Sequence, residues 1–203
     1  MWRFFCIFAA IMEDIVTRTV EVLRRGGTLL YPTDTIWGIG CDARNAEAVE
    51  RLYRIKERDR SKSMLVLVES GEWGAESGEW RVGSGERDGG RPTTYILPRE
   101  VWQDRLHLAV APNLPADDGT LGVRCPRHAF CQQVMRRLGA PLVSTSANLS
   151  GRPSPQIYND IEEELKRRVD YCVPPRPEFL SGETRGSRIL KVGPDGTLTV
   201  VRP

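Results

Sequence analysis

The chain has 203 residues, with 29 Lys and Arg against 27 Asp and Glu and a hydrophobic fraction of 40%. That length and apolar content predict one domain with a real core, and they exclude wholesale disorder, collagen-like repeats and a disulfide-stapled miniprotein. A net charge of +2 is no nucleic-acid coat, although it leaves room for a local basic pocket.

The chain opens on an apolar run, Trp2 to Met12, interrupted only by Arg3. It is far short of the roughly 20 residues that span a bilayer, and no small-residue cleavage site precedes Glu13. Residues 1–11 are therefore expected to be an upstream extension, with Met12 as the natural start and no membrane segment. Over 13–25 the apolar residues Ile15, Val16, Val20 and Leu23 recur at helical spacing, and Gly26-Gly27 supplies a stop. Residues 28–33 read as a strand. Residues 46–56 read as a helix buried through Ala48, Val49, Leu52 and Tyr53. The continuous apolar run 64–68 reads as a strand covered on both faces.

The pattern breaks at 71–90, where seven of twenty residues are glycine; the expectation is a flexible surface loop. No Walker-type or dinucleotide glycine fingerprint occurs there. Strands are expected at 93–97 and 121–124, then a helix over 129–138 ended by Gly139, a strand at 141–145 and a helix over 157–168. Short strands follow at 171–173, 188–192 and 198–201, the last two joined by the turn 193–196. Interleaved helices and strands predict an α/β domain with a mixed sheet. Five scattered cysteines (Cys6, Cys41, Cys125, Cys131, Cys172) without a Cys-x-x-Cys pair, and only two histidines, predict no metal site and free thiols in a reducing cytoplasm.

Four polar groupings stand out. In Tyr31-Pro32-Thr33-Asp34-Thr35-Ile36-Trp37-Gly38, strand alternation would aim Tyr31, Thr33 and Thr35 the same way; the plain alternative is a strand followed by a turn. Lys56-Glu57-Arg58-Asp59-Arg60-Ser61-Lys62 follows a helix and reads either as a solvated helix end or as a polyphosphate cradle. Ser144-Thr145-Ser146-Ala147-Asn148, with Ser150 and Ser154 beyond it, sits after an apolar strand, where open α/β sheets bind ligands; otherwise it caps the next helix. Thr120, Arg124, Ser187 and Arg202 are individually unremarkable. A serine hydrolase is disfavoured because no Gly-x-Ser-x-Gly elbow exists.

Taken in order, these segments resemble the YrdC-like threonylcarbamoyl-AMP synthases. The resemblance rests on Tyr-Pro-Thr-Asp-Thr at 31–35, Lys56 and Arg58 with Lys62, Gly-Val-Arg at 122–124, Ser-Thr-Ser-Ala-Asn-Leu-Ser-Gly at 144–151 and Ser-x-Ile at 187–189, and it covers about residues 13–203 outside the glycine-rich stretch. It implies a twisted, open mixed α/β sheet with flanking helices and a concave basic cavity. It also implies a reaction in which L-threonine, bicarbonate and ATP give threonylcarbamoyl-AMP and pyrophosphate for threonylcarbamoyladenosine modification of tRNA. On the matching positions, Lys56 and Arg58 are the catalytic signature. Thr33, Thr35, Arg124, Ser144 and Ser187 are threonine contacts. Arg58, Lys62, Thr120, Ser146, Asn148, Ser154 and Arg202 are ATP contacts.

The resemblance further implies Mg2+ carried with ATP, no tightly bound cofactor, and a threonylcarbamoyl transferase complex acting on tRNA as partner, with at most a weak RNA contact and a cytoplasmic setting. Two other readings compete. One is a non-catalytic double-stranded RNA or tRNA-binding protein of the same fold. The other is carbamoyl transfer from carbamoyl phosphate, as in the related domain of hydrogenase-maturation proteins.

Overall fold

Apolar residues spaced three and four apart wrap into helices wherever no breaker intervenes. The computed structural model describes residues 2–60, 63–69, 73–74, 81–82, 91–179 and 185–203. Helix α1 (Trp2–Arg24) buries Ile15, Val16, Val20 and Leu23. It starts earlier than the expected 13–25, because nothing between Trp2 and Met12 breaks a helix; Ile11 and Met12 pack against the core. Strand β1 (Leu29–Tyr31) is cut short by Pro32, which has no N–H to give the ladder. Strand β2 (Gly38–Gly40) follows.

Helix α2 (Ala46–Lys56) starts at Asn45, whose side chain accepts from the Ala48 amide at 3.0 Å. It ends at Glu57 in the left-handed conformation, φ 50°. Asn45→Ala should lower stability by about 1 kcal/mol, read as a reduced urea midpoint with an unchanged slope. An unchanged midpoint would mean that the cap contributes nothing.

The remaining elements are β3 (Leu65–Leu67), β4 (Trp73–Gly74), β5 (Arg81–Val82), β6 (Thr93–Leu97), β7 (Leu121–Arg124), α3 (Ala129–Leu138), β8 (Leu142–Ser146), α4 (Glu163–Arg168), β9 (Tyr171–Cys172), β10 (Arg188–Val192) and β11 (Leu198–Arg202). Most of 71–90, expected to be a flexible loop, lies outside the described residues; within it β4 and β5 pair antiparallel. The helix expected over 157–168 is two pieces. A 3-10 turn, Tyr158–Asp160, and α4 are separated by Ile161 and Glu162; Ile161 is extended at φ −73°, ψ 126° and buried. A π-helical turn, Glu100–Arg105, was not expected from the sequence; Trp102 within it donates its indole N–H to the Gly119 carbonyl at 2.9 Å.

One nine-stranded sheet runs β11-β10-β6-β7-β3-β8-β2-β1-β9. It is mixed: β3–β7, β6–β10 and β1–β9 are parallel and the other pairs antiparallel. Leu65, Val66 and Leu67 pair with β7 on one side and β8 on the other. α1 and α3 pack together, and their junction is closed at the surface by the Arg137–Glu13 ion pair. The four described cysteines are free, and burial pushes the Cys41 and Cys131 thiols up.

Candidate functional site

Where β1 ends, the chain folds on its own hydroxyls. Thr33 Oγ1 donates to the Ile36 carbonyl at 2.8 Å, accepts from the Thr35 amide at 3.1 Å, and lies 3.0 Å from Thr35 Oγ1. Both threonines are buried and line a cavity of about 300 Å3. Tyr31 does not join them, contrary to the expected common face. The strand stops before Thr33, and the Tyr31 hydroxyl donates instead to the Val143 carbonyl at 3.1 Å.

Arg124, the last residue of β7, reaches the same turn. Its Nη1 donates to Thr35 Oγ1 at 2.9 Å and lies 3.4 Å from Asp34 Oδ1. The guanidinium is buried, and its Nε has no protein acceptor. Ser144 and Ser146 come from β8, two strands from β7 across β3, and also line the cavity. Across from them, Ser187 Oγ lies 2.7 Å from Thr94 Oγ1. The Ser187 carbonyl accepts Nε and Nη2 of Arg202 at 2.9 and 2.6 Å. Gly186 makes room for that guanidinium, because a Cβ there would lie 3.0 Å from Arg202 Nη2.

The left-handed Glu57 separates the fates of its neighbours. Arg58 turns to the cavity, with Nη2 donating to the Ser63 carbonyl at 2.9 Å. Lys56 turns inward and is 1% exposed.

Of the residues singled out in the sequence, Thr33, Thr35, Arg58, Arg124, Ser144, Ser146, Ser154, Ser187 and Arg202 line this one cavity. Lys56 and Asn148 stand behind its wall. Thr120 binds Asp118 Oδ1 through both amide and hydroxyl, at 3.0 and 2.6 Å, away from the cavity. Lys62 lies outside the described residues. Thr94 and Trp37 also line the cavity, and the sequence reading assigned neither a role. The available signal for Thr94 was a Thr-Thr pair opening an otherwise apolar strand. Trp37 is held edge-on by Tyr158, ring centroids 4.9 Å apart, a partner that sequence distance conceals.

Three arginines line the cavity, and among the described residues no carboxylate does. Forks of this kind bind carboxylate and phosphate oxygens in pairs, so fold and site define an α/β domain with an arginine- and hydroxyl-lined cavity whose chemistry suits small anions. The chain belongs to the Sua5/YciO/YrdC family, whose model, described as "Telomere recombination", matches residues 21–203. It is 36% identical over 157 residues to the threonylcarbamoyl-AMP synthase of Xanthomonas campestris pv. campestris strain B100, covering 74% of this chain and 80% of that one. It is 33% identical over 165 residues to the threonylcarbamoyl-AMP synthase of Halorhodospira halophila, covering 79% and 83%.

Among solved structures, E. coli YciO superposes with a TM-score of 0.67 at 24% identity, covering 93% of this chain and 88% of that one. P. abyssi Sua5 complexed with L-threonine superposes with a TM-score of 0.67 at 22% identity, covering 89% of this chain and 51% of that one. The chain thus corresponds to about half the length of that Sua5. These likenesses carry the mixed α/β fold.

Proposed function

We infer that this chain is a threonylcarbamoyl-AMP synthase, a nucleotidyltransferase that converts L-threonine, bicarbonate and ATP into threonylcarbamoyl-AMP, pyrophosphate and water. The observation that carries this reading is the convergence on one cavity of nine residues singled out in the sequence, Thr33 to Arg202, seven of them within the family's motifs. They lie on a chain whose relatives bear that name over four-fifths of their length.

The threonine amine adds to carbon dioxide derived from bicarbonate and gives up a proton. A carbamate oxygen then attacks the α-phosphorus, and the bond to the β-phosphate oxygen breaks to release pyrophosphate. No side-chain nucleophile is needed, so positioning and charge stabilisation carry the rate. The buried end, with Thr33, Thr35, Ser144 and Ser187, suits the amino acid. The unpartnered Nε of Arg124 supplies a donor for its carboxylate. Arg58 and Arg202 suit the phosphates, with Ser146 and Ser154 beside them. Magnesium would arrive with the nucleotide substrate and offset part of the phosphate charge; the described lining itself offers hydroxyls and cations.

The product is a mixed anhydride for a transferase acting on tRNA to consume, and a cytoplasmic setting accords with that role. No described helix is long and apolar enough to cross a membrane. The reading as a non-catalytic double-stranded RNA or tRNA-binding protein is not favoured, because the curated relatives bear the name of the synthase.

The test is to incubate the protein with ATP, bicarbonate and L-threonine and to follow pyrophosphate and the adenylate by mass. Release should require threonine and bicarbonate together, because the attacking oxygen exists only after carbamate forms. Pyrophosphate release without threonine, or no adenylate under any condition, would overturn the assignment.

A further inference from the structure

The ammonium of Lys56 is committed inside the protein. Its Nζ donates to the carbonyls of Ser146 and Asn148, both at 2.6 Å, and to Asn148 Oδ1 at 3.2 Å. The bonds are reciprocated from the same segment. The Ser150 amide donates to the Lys56 carbonyl at 2.9 Å, and Asn148 Nδ2 ties the chain to the carbonyls of Leu149 and Arg152 at 3.0 and 2.6 Å. Lys56 and Asn148 do not line the cavity, while Ser146, which opens the tied segment, and Ser154, just beyond it, do.

A lysine ammonium has three N–H donors and no lone pair, whereas the neutral amine has two donors and one lone pair. Three oxygen acceptors around one nitrogen are satisfied only by the charged form. We propose that Lys56 is a positioning residue that touches no substrate: its protonated side chain pins residues 146–152 and thereby sets the hydroxyls of Ser146 and Ser154 for the nucleotide, and losing one proton releases that segment. The kinetic half of this inference rests on the synthase reading; the structural half does not.

The surroundings make that proton labile. Burial first, and then the neighbouring Arg58 charge, pull the ammonium from 10.5 down to about 7. Of the other charged groups nearby, Arg168 of α4 donates to the Ile55 carbonyl and pairs with Glu57, and Arg152 of the pinned segment pairs with Glu162. No carboxylate is among the groups that shift Lys56. Because the folded-state value lies below the unfolded one, the buried charge costs stability below about pH 7. That cost fades as pH rises toward 10.5. Global stability from this group therefore rises over the interval in which the third hydrogen bond of the segment is lost.

The experiment measures amide hydrogen exchange in 149–152, corrected for its intrinsic pH dependence, from about pH 6 to about pH 9.5, together with kcat and the KM for ATP. In the unmodified protein, protection of these amides should fall about tenfold or more across the lysine titration. Lys56→Met should show the low protection at every pH. It should also show a KM for ATP raised about tenfold with kcat within about threefold, since saturating ATP re-forms the segment.

The pH series on the unmodified protein decides the matter even where Lys56→Met does not fold. Flat protection across the range would overturn the proposal. So would a Lys56→Met protein with normal protection and kcat reduced about a hundredfold, which would make Lys56 a substrate contact. Absence of synthase activity in the unmodified protein would defeat the synthase reading while the exchange result still judged the pin.

Discussion

Arg124→Met should lower threonine-dependent pyrophosphate release by roughly two to three orders of magnitude, the scale of losing one member of a buried, hydrogen-bonded charge pair. The guanidinium is buried, bonds Thr35 Oγ1, faces Asp34 and keeps one donor unspent. Removing it also strands the Asp34 carboxylate, whose Oδ2 accepts from the Arg127 amide at 3.0 Å, so stability should fall by about 3–5 kcal/mol. The double variant Arg124→Met/Asp34→Asn separates the two effects. With no uncompensated charge left, its denaturation midpoint should recover most of the loss, while turnover stays at the level of the single variant. Recovery of turnover in the double variant would show that Arg124 serves only to neutralise Asp34.

Gly40→Ala should destabilise the fold by about 3 kcal/mol or more, beyond the usual penalty of an overpacked methyl. An added Cβ would lie 1.9 Å from the Val143 carbonyl oxygen and 2.9 Å from Tyr31 Cε1. The first obstacle is backbone and cannot rotate away. Strand β2 would have to withdraw from β8, undoing the register that sets Gly38 against Ser146. Gly38→Ala is the informative contrast, since its nearest obstacles, the Ser144 hydroxyl at 3.2 Å and the Thr145 carbonyl oxygen at 3.3 Å, need give by only a few tenths of an ångström. Urea midpoints compare the two variants. Equal midpoints would show that the sheet opens to admit a methyl at Gly40.

Local chemistry was legible in the sequence wherever it sets structure by itself. The stripe Ala48, Val49, Leu52, Tyr53 marks α2, and Gly139 ends α3 in the left-handed conformation at φ 68°. The doubly covered run at 64–68 became a strand between two others. β2 was not legible, because Gly-Ile-Gly has little intrinsic strand preference; it is a strand only because β1 and β8 flank it. Ile161 fits a continuous amphipathic helix over 157–168, yet burial of that side chain is met by an extended break.

At the site, polar residues at strand ends announced Thr35, Arg124 and Ser146. Thr94 needed its cross-sheet partner Ser187 to be visible. Lys56 sits four residues after Leu52 on the buried face of α2, so its inward direction was readable from helical spacing, whereas the turn of Arg58 to the cavity followed a left-handed Glu57, a residue type without glycine's freedom at positive φ.

The cavity draws on both ends of the sheet order: Thr33 follows β1 near one edge, and Arg202 closes β11 at the other. No shorter stretch of chain contains the site, so a ribosome must deliver the last strand before any substrate can be held. Long-range pairings of this kind make assembly slow. Ligand then stabilises only the finished molecule, by about 2.7 kcal/mol at a hundred times its dissociation constant. ATP or threonine should therefore slow unfolding without accelerating the early steps of folding.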